Sequence, residues 1–467
     1  MRPMSTTLAP GTTNAARPAH SARTLALLHA PELPTLLRLA LPNILVMLAQ
    51  SLTGLIEAAF VGRLGTAALA GMALVFPGVM LMQMMSSGAM GGGISAAIAR
   101  ALGAGRQAEA DALVPHALAI NGTLGLLFCL GGLLGGPALY RAMGGDGPAL
   151  AAALLYSNVV FGGAVLIWAF NGLASCIRGT GNMLVPALMI VGGVVVLVPL
   201  SPCLIFGWGP FPALGVAGGG VALLLYYAVG VALFTAYLAG SRAGIRLRLV
   251  RLRWAPAWAI LRVGLLASLV SLQTNLVVTA TTAYAGGFGA AAIAGYGAGS
   301  RLEFLLVPLV FGLGAPLVAL VGTNLGAGQR ARALRVTWIG AILAFAMTEA
   351  IGLAGALWPG AWLGLFGHDP AMLAAGSAYL RTTGPFFGFF GGGMALYFAS
   401  QGAGRLAWPL AAAVLRMVVA VGGGWLALRL TGSLTPVFLA LGAGLLVLGV
   451  VNAAAVAGGA WFKKGTA

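Results

Sequence analysis

Asn43, Gln50 and Glu57 recur every seven residues through LPNILVMLAQSLTGLIEAAFVG, a stretch with no other charge. On a helix that spacing sets all three on one stripe, with Met47 and Gly54 between them and Leu, Ile, Val and Ala on the other faces. A carboxylate in such company is costly unless water, a cation or hydrogen-bond donors meet it. Arg63, six residues on, falls on another face near the end of the run. A carboxyl group held this way can take up a proton from one side and release it to the other. The plainer reading is a structural glutamate hydrogen-bonded to neighbouring helices. Pro42 removes a backbone donor and can bend the helix that carries Glu57, acting as a hinge. So near the N-terminal end it can equally serve to start the helix.

Other polar groups stand out against the same apolar background. Glu303 lies in SRLEFLLVP, with Arg301 two residues away and so on a different face. Glu57 and Glu303 are the candidate ion-coupling acids; Glu349, in AMTEAIG, reads better as a hydrogen-bonded acid. Ser268, Ser271, Asn275, Thr279 and Thr282 follow helical spacing, with Gln273 beside them. That stripe fits either a polar wall for an ion or hydrogen bonding between helices. With Asn43, Gln50 and Asn171 it forms the candidate supporting polar face. In MALVFPGVMLMQMMSSGAM, Met80, Gln83, Met84 and Ser87 could line a cavity for varied flat cations, since flexible thioethers suit promiscuous surfaces. Ordinary gap-filling is the alternative. Trp168, Asn171 and Ser175 share a face of a later run, and Trp168 joins the candidate cavity.

The elements that must position these groups follow from composition. Of 467 residues, 60% are hydrophobic and only 7% charged, against about 25% charged in soluble domains. Mean hydropathy of +0.99 over the whole chain excludes a soluble domain with one anchor. The expected fold class is an all-α polytopic membrane protein. Runs long enough to cross about 30 Å of hydrocarbon cover 36–61, 69–99, 112–137, 151–175, 183–206, 213–239, 258–285, 292–322, 336–360, 372–399, 407–430 and 435–461. These are twelve transmembrane helices. The net charge of +17 does not point to nucleic acid, because the arginines sit in short loops, where positive charge sets topology. Only Arg63, Arg141 and Arg429 fall in the outer loops if both termini are cytoplasmic. Cys129, Cys176 and Cys203 have neither pairing nor metal spacing and read as packing thiols.

The chain also repeats itself. LGAGR at 102–106 returns as LGAGQ at 325–329, and IRGTGNMLVP at 177–186 as SQGAGRLAWP at 400–409, both 223 residues later. LAG at 69–71 returns as IAG at 293–295, one residue out of that register. Two six-helix lobes in a parallel internal repeat follow, related about an axis along the membrane normal. The expected units are a cytoplasmic N-terminal tail over 1–35, read as unstructured, an N-lobe over 36–239 and a basic cytoplasmic linker over 240–257. A C-lobe over 258–461 and a short tail over 462–467 complete them. The linker holds Arg242, Arg246, Arg248, Arg251 and Arg253.

FVGRLG at the end of the first span, LGAGR after the second, RGTGNMLVP between the fourth and fifth, and its counterpart QGAGRLAWP together resemble the multidrug and toxic-compound extrusion (MATE) transporters over about residues 36–460. That resemblance implies a two-lobe fold with a central cavity open alternately inward and outward. It implies export of organic, often cationic, compounds by antiport with H+ or Na+, with no cofactor beyond that coupling ion. The implied setting is a monomer in the bacterial inner membrane, its partners being small molecules and the bilayer. Relatives commonly carry an acid near the position of Glu57, linked to ion coupling and usually Asp. An acid that one branch carries in the tenth helix is missing from FFGFFGGGMALYFASQ. A flippase for lipid-linked saccharides shares the superfamily fold, but would favour several cations in the cavity, for which only Arg301, Arg381 and Arg416 are candidates. An embedded enzyme is disfavoured, since His20, His29 and His368 lie in tails or loops and His116 has no nucleophile beside it.

Overall fold

The computed structural model describes residues 20–240, 243–248 and 250–462. Residues 1–19, Arg242 and nearly all of the expected 462–467 tail lie outside the described residues. A short helix α1 (Ala22–His29) precedes α2 (Glu32–Gly62). The second span is built from α3 (Thr66–Gln83), a π-helical turn over Met84–Met90 and α4 (Gly91–Gly103). Then come α5 (Gln107–Ala142), α6 (Gly147–Gly162) and α7 (Ala164–Gly179), α8 (Leu184–Phe206) and α9 (Val216–Ala239). The second half follows as α10 (Trp254–Gly286), α11 (Ala290–Gly326), α12 (Arg330–Leu357) and the one-turn α13 (Pro359–Leu363). It ends with α14 (Pro370–Thr383) and α15 (Phe387–Ala403), α16 (Ala407–Met417) and α17 (Gly423–Thr431) joined by a π turn, and α18 (Leu434–Ala457).

Ten of these helices, taking α3–α4 and α16–α17 as continuous, are long and apolar enough to cross a membrane. The eleventh span is α6–α7, bent by 47°. The twelfth is α14–α15, broken by a single 3-10 turn at Gly384–Phe386. Every expected span thus has its helix, and the all-α class stands. The tail differs from expectation over its last third. Residues 22–29 are helical, capped by the Ser21 hydroxyl on the Thr24 amide, with Leu27 and Leu28 buried. The alternation of Leu with polar residues in ARTLALLH supplies an apolar face that packs on α11.

Backbone geometry carries the repeat further than the letters do. Gly105 and Gly328 occupy the same place in LGAGR and LGAGQ, with φ of 71° and 77°. Gly181 and Gly404 likewise share φ of 77° and 71°. Only glycine adopts this left-handed conformation without strain, which lets each helix end and the chain reverse within a few residues. Two apolar cores form, one drawn chiefly from residues 46–260 and another chiefly from 263–461.

The two halves meet at the end that carries α1 and the linker. There α11 packs against α2 and α4, and α15 against α4. Asn43 Nδ2 donates to the carbonyls of Phe311 (3.1 Å) and Gly312 (3.2 Å). Gln401 Nε2 donates to Gly88 and Ala89, and Arg100 Nη1 donates to the Gly402 carbonyl at 2.8 Å. Beyond the π turn the halves part. The α3 segment packs chiefly on α2, α5 and α6, and α17 on α10 and α18. The space between the halves therefore widens away from the linker. The linker itself is tied down by Asp111, whose Oδ1 accepts from the Arg246 amide (3.0 Å) and from Gln107 Nε2 (3.0 Å). His116 Nε2 accepts from the Arg253 amide at 2.8 Å.

Candidate functional site

Glu57 lies late on α2 and is half-buried. Its Oε1 is buried and accepts no hydrogen bond among the described residues. Tyr156 on α6 and Tyr227 on α9 are near enough to feel its charge, and among the described residues no Arg or Lys pairs with it. From Tyr227 a polar chain runs inward. Gln83 Nε2 donates to the Tyr227 hydroxyl (3.0 Å), Asn171 Nδ2 donates to Gln83 Oε1 (2.8 Å) and also to Ser86 Oγ (2.8 Å). Gln83 ends α3 where the helix widens into the π turn, and such turns recur at functional sites. Asn171 was expected on a polar face, and the structure joins it to Gln83.

The stripe on α2 does not act as a unit. Asn43 is 4% exposed and committed to the other half; it lies about 21 Å along the helix from Glu57. Gln50 is half-buried between them. The helix continues unbroken through Pro42. Met80, Met84 and Ser87 keep accessible surface on the widening face, whereas Met82 and Met90 are sealed into the core. Trp168 is a correction: it is fully buried against Phe128, ring centroids 5.4 Å apart, and fills the N-half core instead of lining a cavity.

None of the five polar residues of the α10 stripe is buried. Ser268, Ser271, Asn275, Thr279 and Thr282 each donate to the carbonyl four residues back on their own helix. Hydroxyls satisfied locally need no partner helix. Asn275 alone reaches across, to Met84 Sδ at 4.0 Å. Gln273 is buried with neither amide atom partnered.

Glu303 has quite different surroundings. Its Oε2 accepts a short bond (2.6 Å) from the Tyr379 hydroxyl. Arg416, only 6% exposed, is within electrostatic reach of Glu303 and lies over the Phe390 ring. Thr281, Tyr296, Thr383 and these three groups line a small cavity of about 30 Å³, room for about one water. Tyr379 stands 223 residues after Tyr156, and Thr281 occupies the repeat position of Glu57, one residue out of that register. The two pockets are therefore repeat mates. Their acids enter on different helices. Glu349 is structural: Oε2 accepts the Gly388 amide at 2.6 Å and caps the start of α15.

Sequence reasoning missed Tyr156, Tyr227, Tyr379 and Asp111; the 223-residue offset shared by the first and third was the available signal. The MatE family pattern matches residues 42–203 and 267–426. A protein named FAD transporter from Shewanella oneidensis is 30% identical over 76% of this chain and 78% of its own. A probable multidrug resistance protein NorM from Thermotoga maritima is 27% identical over 80% and 81%. A solved outward-facing conformation of a multidrug resistance MATE family transporter superposes with a TM-score of 0.85 at 24% identity, covering 96% of this chain and all of that one.

Proposed function

This chain belongs to the MatE family of multi-pass membrane transporters, and from that premise we propose that it is an antiporter exporting organic, often cationic, compounds against an inward flow of protons. The observation that carries the reading is Glu57, a buried carboxyl with an unpartnered oxygen and no cation beside it. An acid in a membrane span without a counter-charge marks a proton path, so a proton arriving from the open side has a place to stop. A sodium ion would need several oxygen ligands at once, whereas a proton needs only the unpartnered Oε1 of Glu57. That favours H+ over Na+.

In this reading the linker end is cytoplasmic and the widening space faces outward. Protonation removes the charge from the N-half pocket, and the packing of α2 against α3 and α8 changes with it. The halves then rock about the contacts of α2 and α4 with α11, and cargo bound against Met80 and Met84 is exchanged for the proton. Glu303 accepts a bond from Tyr379, has Arg416 within electrostatic reach, and serves the C-half as a structural group. The flippase reading is weaker, because Arg301 is stacked on Phe366 and Arg416 is committed to the C-half pocket, leaving few cations for a pyrophosphate. The likeness to a protein named FAD transporter favours a second cargo reading, a flavin dinucleotide.

Purified protein in liposomes tests both. A pH gradient and a sodium gradient are imposed separately, and the movement of a fluorescent organic cation, or of FAD by its own fluorescence, is followed. Transport driven by the pH gradient and lost in Glu57→Gln supports the proposal. Transport that follows sodium alone, or persists unchanged in Glu57→Gln, overturns the proton assignment.

A further inference from the structure

Glu32 opens α2, and the arginines of RARALR open α12 in the other half. Together with α1 they surround an open groove of about 530 Å³ lined by His29, Gln329, Arg330, Arg332 and Arg335. Three guanidinium groups line it, and two of them bond the Glu32 carboxylate. Arg332 Nη1 and Arg335 Nε both share Glu32 Oε1, at 3.1 and 3.2 Å. Glu32 is the acid paired with these arginines among the described residues; Glu109 pairs with Arg106, and Asp111 holds the linker.

Two further features deepen the imbalance. The first turn of α12 has no acidic residue and no side-chain cap, so the positive end of its dipole adds to the arginines instead of being offset. Arg332 is only 11% exposed in its side chain, also donates to the Ala30 carbonyl, and keeps its buried Nε without a partner. Arg330 is stacked over Phe462 at 5.1 Å, which fixes its plane while leaving its N–H groups available. A preorganised fork of guanidinium donors at a helix start is suited to a tetrahedral oxyanion.

We infer that this groove binds a phosphate group. Because α12 begins a span here, the groove sits at headgroup level, where basic pockets between helices collect anionic lipids. A soluble phosphate compound would offer the same chemistry. Either would bear on the junction of the halves, since Glu32 belongs to one and Arg332 to the other.

The test uses full-length protein in neutral detergent. Phosphatidylglycerol and phosphatidylcholine binding are measured by native mass spectrometry, and inorganic phosphate binding by titration calorimetry. Arg330→Gln/Arg335→Gln removes two exposed arginines and spares Arg332. Arg141→Gln/Arg429→Gln, at the opposite end, is the control. The expected result is roughly a tenfold loss of phosphatidylglycerol affinity in the first variant and none in the control. A saturable inorganic phosphate signal lost only in the first variant, with lipid binding unchanged, assigns the groove to a soluble phosphate. If both variants weaken binding equally, or neither probe depends on Arg330 and Arg335, the inference fails.

Discussion

The same side chain stands in two repeat-related pockets and is treated in opposite ways. Glu57 has a buried oxygen without a donor and no cation in reach. Glu303 receives a 2.6 Å bond from Tyr379 and has Arg416 beside it. Tyr156 and Tyr379 are repeat mates, so the scaffold around the two acids is shared while the counter-charge is not. The repeat supplies two related tyrosine positions, and an arginine on α16 stands within reach of one acid and not the other. In the proposed reading the partnered acid is structural and the unpartnered one carries the proton. If that division is right, each pocket breaks in its own manner.

The largest effect should come from the unpaired acid. Glu57→Gln should reduce transport driven by a pH gradient by on the order of a hundredfold, as loss of a required proton carrier does. Its thermal unfolding in detergent should stay close to that of the parent, because no hydrogen bond or ion pair is broken. Loss of stability comparable to loss of transport would make Glu57 a structural group and erase the contrast.

Arg416→Met should do the reverse. Leaving Glu303 in a 30 Å³ cavity without its cation should destabilise the protein by about 3 kcal/mol. Glu303→Gln/Arg416→Met should recover most of that, since two apolar or neutral groups replace a broken pair. Chemical unfolding of the four proteins in a cycle measures it. If the single variant is as stable as the parent, Arg416 does not hold Glu303 and the pockets are more alike than their geometry implies.

The comparison also shows what could be read from the letters. A charge in twenty apolar residues is conspicuous, so Glu57 was legible, as were the twelve spans and the glycine turns of the repeat. Faces were not. Spacing placed Trp168 with Asn171, but a helix inside a bundle has partners all round, and only packing separates chamber from core. Spacing alone does not sort the stripe Ser268, Ser271, Asn275, Thr279 and Thr282, because hydroxyls that bond their own helix keep the same periodicity as those that face a partner. The division of roles between Glu57 and Glu303 was hidden for another reason: Tyr379 and Arg416 lie far along the chain, on α14 and α16, and meet Glu303 only in the fold.

A finer test lies in the tyrosines. Tyr379→Phe removes a hydrogen bond to a carboxylate, at about 2 kcal/mol. Tyr156→Phe removes a hydroxyl near Glu57 that donates no such bond, and should change stability by less than about 1 kcal/mol. Unequal losses in parallel unfolding measurements would support the asymmetry, and equal ones would remove it.

The smallest effect concerns what couples the pockets. Asn43 shares a helix with Glu57 yet spends both amide hydrogens on carbonyls of α11, the helix that carries Glu303. It thus joins the two acid-bearing helices at the closed end. Asn43→Ala removes both bonds, and the loss of about 1 kcal/mol should shift the balance between closed and open linker ends roughly fivefold. Spin labels on opposite halves near the linker end, read by pulsed electron resonance, should then show a larger long-distance population. An unchanged distribution would mean that Arg100 and Gln401 hold that end shut without help. The pockets would then communicate through α4 and α15, not through α2 and α11.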